Sequence, residues 1–134
     1  MPILRSEALP VSTEGEVVLA RQAVRRWAAE LKFGLVDQTK LVTAASELAR
    51  NALVHGGGGT VTIEVVEEMG RTGLRLTFAD AGKGIQDVEV ALQDGYTTGA
   101  GLGMGLGGSR RLVHDFAIDS SPNQGTRVTI CRWK

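Results

Sequence analysis

Three short segments of this chain combine polar side chains and glycines at spacings that can hold a charged ligand. In the first segment, Glu47, Asn51 and His55 recur every fourth residue, so a helix would place them along one side. A carboxylate and an amide oxygen one turn apart suit a hard cation such as Mg²⁺, or a water or hydroxyl held near it. A solvated helix face would show the same spacing, so the pattern alone leaves both interpretations open.

The second segment follows a predicted strand. Asp80 has the same parity as Leu74 and Phe78, which predicts that its carboxylate points inward at the end of that strand. An inward carboxylate is costly unless a group donates hydrogen bonds to it. The exocyclic amine of a purine would do so, and Gly82 and Gly84 would let the backbone approach the flat ring. An aspartate in an ordinary turn is the alternative.

The third segment is the glycine-rich run from Gly99 to Leu106. Glycines that lead into a helix present a row of backbone N–H groups and a positive dipole end, which favours phosphate binding. Residues 103–108 also match the dinucleotide fingerprint G-x-G-x-x-G, but no predicted strand precedes them. No lysine follows these glycines, so the Walker A motif is absent. A glycine loop without a ligand is the alternative.

Helical and strand periodicities predict the elements that position these segments. Thr13 and Glu16 have the spacing of a capping box, and the apolar stripe after them predicts a helix that stops at Gly34. Asp37 is predicted to cap a second helix, which carries Glu47 and Asn51. The apolar stripes of the two helices consist of Val17, Ala20, Val24, Trp27 and Leu31, and of Leu41, Ala45, Leu48 and Ala52.

Beyond residue 60 the apolar period changes to two, which predicts strands. Residues 61–65 and 74–78 form a predicted hairpin, and residues 116–118 and 128–130 two last strands joined by a turn. Short helices are predicted around residues 88–92 and through Leu112. The expected fold is α/β, with a mixed, mostly antiparallel sheet and helices on one face.

Composition limits the classes of partner. The 134 residues fit a single domain, 1–134, and lysine plus arginine equal aspartate plus glutamate at 15 each. This balance predicts neither a nucleic-acid nor a membrane partner. The lone Cys131 and the absence of any long apolar run predict a cytoplasmic protein without disulfides.

The three segments together resemble the nucleotide site of the GHKL superfamily (gyrase, Hsp90, histidine kinase, MutL). Glu47-x-x-x-Asn51-x-x-x-His55 resembles the N box, Asp80-x-Gly82-x-Gly84 the G1 box and Gly101-x-Gly103-x-Gly105 the G2 box. Gly125-Thr126 resembles the last motif of the superfamily. The resemblance implies a two-layer α/β sandwich of the Bergerat type that binds ATP and Mg²⁺.

Within the superfamily, the chain is similar to the RsbT-type switch kinases over nearly its full length. The similarity includes residues 20–22, 33–38, 46–51 and 94–98. It implies an ATP-dependent serine/threonine protein kinase that phosphorylates a STAS-domain partner in a bacterial stress-response switch. A phosphatase that the kinase activates is a further partner implied by the resemblance.

The resemblance also implies residue roles. Glu47 would orient or deprotonate the attacking hydroxyl, Asn51 would hold Mg²⁺, and Asp80 would bind the adenine amine with Thr126 and a water behind it. Backbone contacts would come from Gly82, Gly84, Gly101, Gly103 and Gly105.

Other functions within the superfamily remain as alternatives. An anti-sigma factor would bind a sigma factor and phosphorylate its antagonist. A sensor histidine kinase fits less well, because His55 and His114 are the only histidines in the sequence. A non-catalytic ATP sensor is the third alternative.

Overall fold

The structure is a computed structural model that describes residues 3–84, 92 and 105–134. Within these ranges the helices are α1 (Glu14–Glu30), α2 (Leu35–Val54) and α3 (Gly105–Arg110). The strands are β1 (Ile3–Pro10), β2 (Gly59–Glu68), β3 (Arg71–Asp80), β4 (Asp115–Ser120) and β5 (Thr126–Trp133). The helix predicted around residues 88–92 lies outside the described residues except for Leu92, which is buried.

The five strands form one sheet in the order β1-β2-β3-β5-β4, and every neighbouring pair is antiparallel. The predicted hairpin is confirmed, with Met69 and Gly70 at positive φ between β2 and β3. Alternate residues of the central strands, such as Ile63, Leu76 and Ile130, are fully buried beneath the helices. The α/β prediction with helices on one face of an antiparallel sheet is therefore confirmed.

Helix α1 begins as its sequence predicts. Thr13 is the N-cap, and its hydroxyl accepts a hydrogen bond of 3.1 Å from the backbone N–H of Glu16. The Glu16 carboxylate accepts in turn from the N–H of Ser12, one residue before the cap, at 2.9 Å. These bonds satisfy the Glu16 N–H in the first turn of the helix and the Ser12 N–H just before the cap.

The junction between α1 and α2 differs from the prediction. Helix α1 ends at Glu30, and Lys32 with φ 65° makes the turn that was expected at Gly34. Gly34 is instead the N-cap of α2, three residues before Asp37, so the prediction that Asp37 caps this helix is wrong. Asp37 lies in the first turn of α2, and its carboxylate accepts hydrogen bonds from Arg132 of β5. A tertiary ion pair therefore takes up the side chain whose type favours a cap.

Strand β1 is absent from the sequence prediction, because most of its side chains are exposed and show no apolar alternation. Backbone pairing with β2 holds it at the edge of the sheet. On the helix side, the Glu7 carboxylate accepts hydrogen bonds from Trp27 Nε1 at 2.6 Å and from Arg26 at 2.9 Å. These partners lie far away in sequence, where no local pattern shows them.

Helix α3 packs against α2 and ends at Arg110, two residues before the predicted end at Leu112. Leu106 is the residue of α3 that joins the main core. None of the described helices combines the length and apolar character required to cross a membrane.

Candidate nucleotide site

The C-terminal half of α2 carries the first predicted group of site residues. Glu47 and Asn51 are both half-buried, one turn apart, beside the buried positions Leu48 and Ala52. Helix α2 ends at Val54, where the backbone N–H groups of the following glycine segment turn back to the carbonyl of Ala52. Glu47 and Asn51 therefore lie along one side of a helix, as their spacing predicts, whereas His55 lies at the C-cap of α2 and is exposed.

Asp80 lies against the end of α2. Its side chain packs on the backbone of Gly56 so closely that a methyl group at Gly56 would overlap the carboxylate. Gly82 is equally close to Gly56, again with no room for a Cβ atom between them. The predicted inward orientation of Asp80 is therefore confirmed, and glycines on both neighbouring segments make the approach possible.

The Asp80 carboxylate is half-buried, and one of its two oxygens has a hydrogen-bond donor in the part of the chain that the structure describes. Its Oδ1 accepts a hydrogen bond of 2.9 Å from the backbone N–H of Gly82. Among the described residues, no donor lies within hydrogen-bonding distance of Oδ2. Asp80 Oδ2 is not among the buried polar atoms that lack a partner, so it is open to solvent or to a ligand that donates a hydrogen bond.

Thr126 is the direct partner of Asp80 in the register of β3 and β5. Its hydroxyl lies 2.8 Å from the hydroxyl of Ser120, which donates to the carbonyl of Gly125 at 3.0 Å. Thr126 therefore donates to Ser120, and its oxygen keeps acceptor capacity beside Asp80. The sequence prediction missed Ser120, although it shares the inward parity of Phe116 and Ile118 on β4.

The two loops at this end of the sheet pack against each other. The N–H of Asn123 donates to the carbonyl of Lys83, and Gly84 lies against the carbonyl of Ser121. Gly125 has φ 78°, and its Cα faces the carbonyl of Asp80 without space for a side chain. A polar cavity of about 200 Å³ opens here; it is lined by Ala79, Asp80, Asp119, Ser120, Ser121, Gln124, Gly125, Thr126 and Arg127.

The structure thus brings Asp80, Gly82, Gly84 and Thr126 together at the end of α2. Gly105 is the first residue of α3, which packs on α2. The predicted phosphate-binding residues Gly101 and Gly103 lie outside the described residues.

An ion pair connects the outer side of α2 to the start of α1. The guanidinium of Arg50 contacts the carboxylate of Glu14 through two N–O distances of 3.3 and 3.4 Å. The side chains of Arg50 and Glu14 are 48% and 67% exposed. The sequence prediction did not include this pair, because the two residues are 36 positions apart.

Comparison with known proteins identifies the family. Residues 36–134 match the family of histidine kinase-, DNA gyrase B- and HSP90-like ATPases. The chain is 42% identical over 123 residues to serine/threonine-protein kinase RsbT of Bacillus subtilis, covering 92% of each chain. It is 36% identical over 120 residues to the anti-sigma F factor of Bacillus licheniformis, covering 84% of this chain and 81% of that factor.

A solved structure supports the fold. The chain superimposes along its whole length, with a TM-score of 0.65 and 22% identity, on 33% of a Mycobacterium tuberculosis chain that contains RsbU and RsbW domains. The inward aspartate at the end of α2, the glycines around it and these similarities agree with one another. The chain belongs to the histidine kinase-, DNA gyrase B- and HSP90-like ATPase family and, within it, to the ATP-using serine/threonine protein kinases that resemble RsbT.

Proposed function

We propose that this kinase transfers the γ-phosphate of ATP to a serine or threonine of a STAS-domain partner in a bacterial regulatory switch. One observation carries the proposal: the half-buried Asp80 carboxylate, which has a single donor among the described residues, lies against the segment that ends the helix carrying Glu47 and Asn51. The proposed base-binding residue Asp80 thereby contacts Gly56, two residues after the end of the helix that carries the proposed phosphate-binding residue Asn51. The similarity to RsbT supports the choice of a protein hydroxyl as the acceptor.

Asp80 binds the adenine in this proposal. Its Oδ2 accepts from the exocyclic amine, while Oδ1 keeps its hydrogen bond to Gly82. Thr126, directly across the strand pair, holds a water between its hydroxyl and the ring. Glycine at positions 82 and 84 allows the G1 loop to pack directly on the backbone of Gly56 and Ser121 at this end of the sheet.

The phosphates extend from the base towards Asn51 and the glycines Gly101, Gly103 and Gly105. No group of three or more His, Cys, Asp or Glu side chains that could hold a metal occurs within residues 3–84, 92 and 105–134. An amide oxygen at Asn51 fits Mg²⁺ all the same, since this ion keeps several waters and takes most other ligands from the phosphates. When bound, Mg²⁺ would neutralise charge on the phosphates.

Glu47 acts on the protein substrate. It lies one turn before Asn51 on α2, farther from the end of the helix that touches Asp80. From that position its carboxylate orients the incoming hydroxyl and accepts its proton. A serine hydroxyl is a weak nucleophile, so alignment and charge neutralisation supply much of the rate.

Anti-sigma activity is the second candidate, because the chain is also similar to an anti-sigma F factor over 84% of its length. In that case the chain would bind a sigma factor and also phosphorylate the antagonist that releases it. Activation of a phosphatase is the corresponding second activity of the first candidate. Pull-down experiments against sigma factors, STAS-domain proteins and phosphatases of the same bacterium distinguish the candidates.

Replacement of Glu47 by Gln tests the proposed chemistry. We expect nucleotide affinity within about twofold of wild type and phosphate transfer to the STAS protein reduced by about 10²-fold or more, the usual contribution of an acid–base group. The measurements are the ATP dissociation constant by calorimetry and mass spectrometry of the STAS partner. The matched control is Glu67→Gln, which replaces an exposed carboxylate on β2.

A Glu47→Gln variant that transfers phosphate at the wild-type rate contradicts the assignment of the base. Retained transfer combined with weakened ATP binding would instead make Glu47 a nucleotide or metal contact.

A further inference from the structure

The sequence places no positive charge in the segment that joins the G1 loop to α3. Between Lys83 and Arg110 there is no lysine or arginine. Phosphoryl transfer spreads negative charge over the γ-phosphate oxygens, and protein cations commonly stabilise it. In this kinase, a cation that contacts the γ-phosphate must therefore come from another element.

Arg50 of α2 is a candidate for the cation that contacts the γ-phosphate. It lies on α2 between Glu47 and Asn51 in sequence, and residues three apart on a helix are surface neighbours, so Arg50 adjoins Glu47. Its side chain is 48% exposed, so solvent and ligands can reach the guanidinium. A guanidinium provides several N–H donors in a planar fork that matches phosphate oxygens.

The other described cations near this end are less suitable. Lys83 is an exposed residue of the loop beside Asp80, at the base end of the proposed site. Arg110 is the last residue of α3 and Arg111 follows it; both are exposed at the end of the helix where its dipole is negative. Arg127 is exposed on β5 and pairs in register with Ala79 and Asp119. Residues at this register position lie on the opposite face of the sheet from Asp80 and its partner Thr126.

The present partner of Arg50 holds it weakly. Both N–O distances to Glu14 are long for a charged hydrogen bond, at 3.3 and 3.4 Å, and the Glu14 side chain is 67% exposed. Exposed ion pairs of this kind contribute little to stability. A triphosphate that carries several negative charges competes easily with one solvated carboxylate for the guanidinium.

We propose that Arg50 is a catalytic residue that leaves Glu14 and donates hydrogen bonds to the γ-phosphate of ATP; the inference rests on the proposed kinase function. In the transfer step, a bond forms between the substrate hydroxyl oxygen and the γ-phosphorus while the bond from that phosphorus to the bridging oxygen breaks. ADP leaves with the bridging oxygen, and Glu47 receives the hydroxyl proton. Arg50 stays protonated throughout and stabilises the charge on the transferred group.

Comparison of two nucleotides isolates this contact from the rest of the site. Calorimetry gives the dissociation constants of MgADP and of the magnesium complex of β,γ-imido-ATP for wild type, Arg50→Ala and Arg50→Lys. We expect Arg50→Ala to weaken the triphosphate analogue by about tenfold, the usual effect of one charged hydrogen bond, and MgADP by less than about twofold. Arg50→Lys, which keeps the charge but not the fork, recovers part of the loss.

Two further variants separate this role from general effects of charge and structure. Arg21→Ala removes another exposed arginine, on α1, and should leave both affinities unchanged. Glu14→Gln breaks the same ion pair from the other side and should keep or improve binding of the triphosphate analogue. If Glu14→Gln weakens that binding as Arg50→Ala does, the pair is structural and the proposal is wrong.

Equal losses of MgADP and triphosphate binding in Arg50→Ala, or no loss of either, also overturn the role of Arg50. If the wild-type protein binds both nucleotides in that experiment, the result does not contradict the proposed kinase function, whatever the outcome for Arg50. Wild-type protein that binds neither nucleotide contradicts the kinase function itself, so the two failures are distinguishable.

Discussion

The two ends of the β3–β5 strand pair are built in opposite ways. At one end Asp80 is opposite Thr126, and at the other Gly73 is opposite Trp133. The Asp80 end is formed by close backbone contacts at glycines, and within the described part of the chain its carboxylate has one donor. The Trp133 end is closed by side chains that satisfy one another.

Trp133 illustrates this closure. Its Nε1 donates to the Asp115 carboxylate at 2.7 Å, and its backbone N–H donates to Nδ1 of His114 at 2.8 Å. The guanidinium of Arg71 lies over its ring at 4.8 Å from the centroid. Cys131 is buried beside it, and this burial raises the pKa of the thiol to about 12. Within the part of the chain that the structure describes, no buried side-chain polar atom of this cluster lacks a hydrogen-bond partner.

The difference separates stability from binding along one pair of strands. Satisfied polar groups around an aromatic ring stabilise the fold, whereas unused acceptor capacity at a half-buried carboxylate is retained where a ligand can satisfy it. Substitutions at the Trp133 end should therefore change the free energy of unfolding, and substitutions at the Asp80 end should change nucleotide affinity.

The largest effect is expected from Trp133→Ala. Removal of the buried ring and its hydrogen bond should lower the free energy of unfolding by about 3 kcal/mol. The nucleotide affinity of the protein that remains folded should stay within about twofold of wild type, because the Asp80 end is untouched. Urea unfolding and calorimetry at low temperature measure the two quantities. A large loss of affinity in fully folded Trp133→Ala would show that the ends are coupled.

A smaller effect, of about 2 kcal/mol in binding, is expected from Asp80→Asn. The isosteric amide of asparagine can still accept the hydrogen bond from the Gly82 N–H. It offers an N–H₂ donor, however, at the position where the carboxylate would accept from the adenine amine. ATP should therefore bind about 30-fold more weakly. The preference for ATP over GTP should shrink, because the guanine keto oxygen no longer faces a second acceptor. Thermal unfolding of the unliganded variant should match wild type.

Calorimetric titration of ATP and GTP into wild type and Asp80→Asn measures this preference. Equal affinity of the wild-type protein for the two nucleotides would contradict the assignment of Asp80 to the base.

The smallest effect is a pH dependence at the start of α2. Hydrogen bonds from Arg132 hold the pKa of Asp37 below its ordinary value of 3.8. The folded state therefore binds this proton less readily than the unfolded state. The stabilisation is complete above the unfolded pKa and is lost as the pH falls through the lower pKa of the folded state. The free energies of unfolding of wild type and Asp37→Asn in urea should differ at neutral pH, and the difference should shrink as the pH falls below 3.8. A difference that does not change with pH in this range would exclude the charge as its cause.

Much of the architecture follows from local patterns in the sequence. Apolar residues at every second position of β2 and β3 predict both strands and their hairpin. The stripe of apolar residues along α2 predicts the face of this helix that is buried. Strand β1 and the function of Asp37 could not be predicted, because backbone pairing and a distant arginine decide them. Tertiary partners override a weak local preference in both cases.

In the candidate site, too, local patterns predict some features, and others depend on tertiary contacts. The parity of Asp80 and Thr126 predicts that both lie inside at one end of the sheet, and the register places them opposite each other. The contact of Gly56 with Asp80 could not be predicted, since it depends on how α2 meets β3. The roles of Glu47, Asn51 and the glycines of the phosphate segment stay predictions until they are measured.

The contact between Gly56, Gly82 and Asp80 has a consequence for how the sequence can change. A clash elsewhere in a core is often relieved when a neighbouring residue is replaced by a smaller one. Here any side chain added at Gly56 meets either another glycine or the aspartate assigned to the base. No second substitution can make room, because one neighbour is already the smallest residue and the other cannot be shortened without loss of its carboxylate position. In a library of single and double substitutions, Gly56 should therefore tolerate no replacement and show no compensating partner.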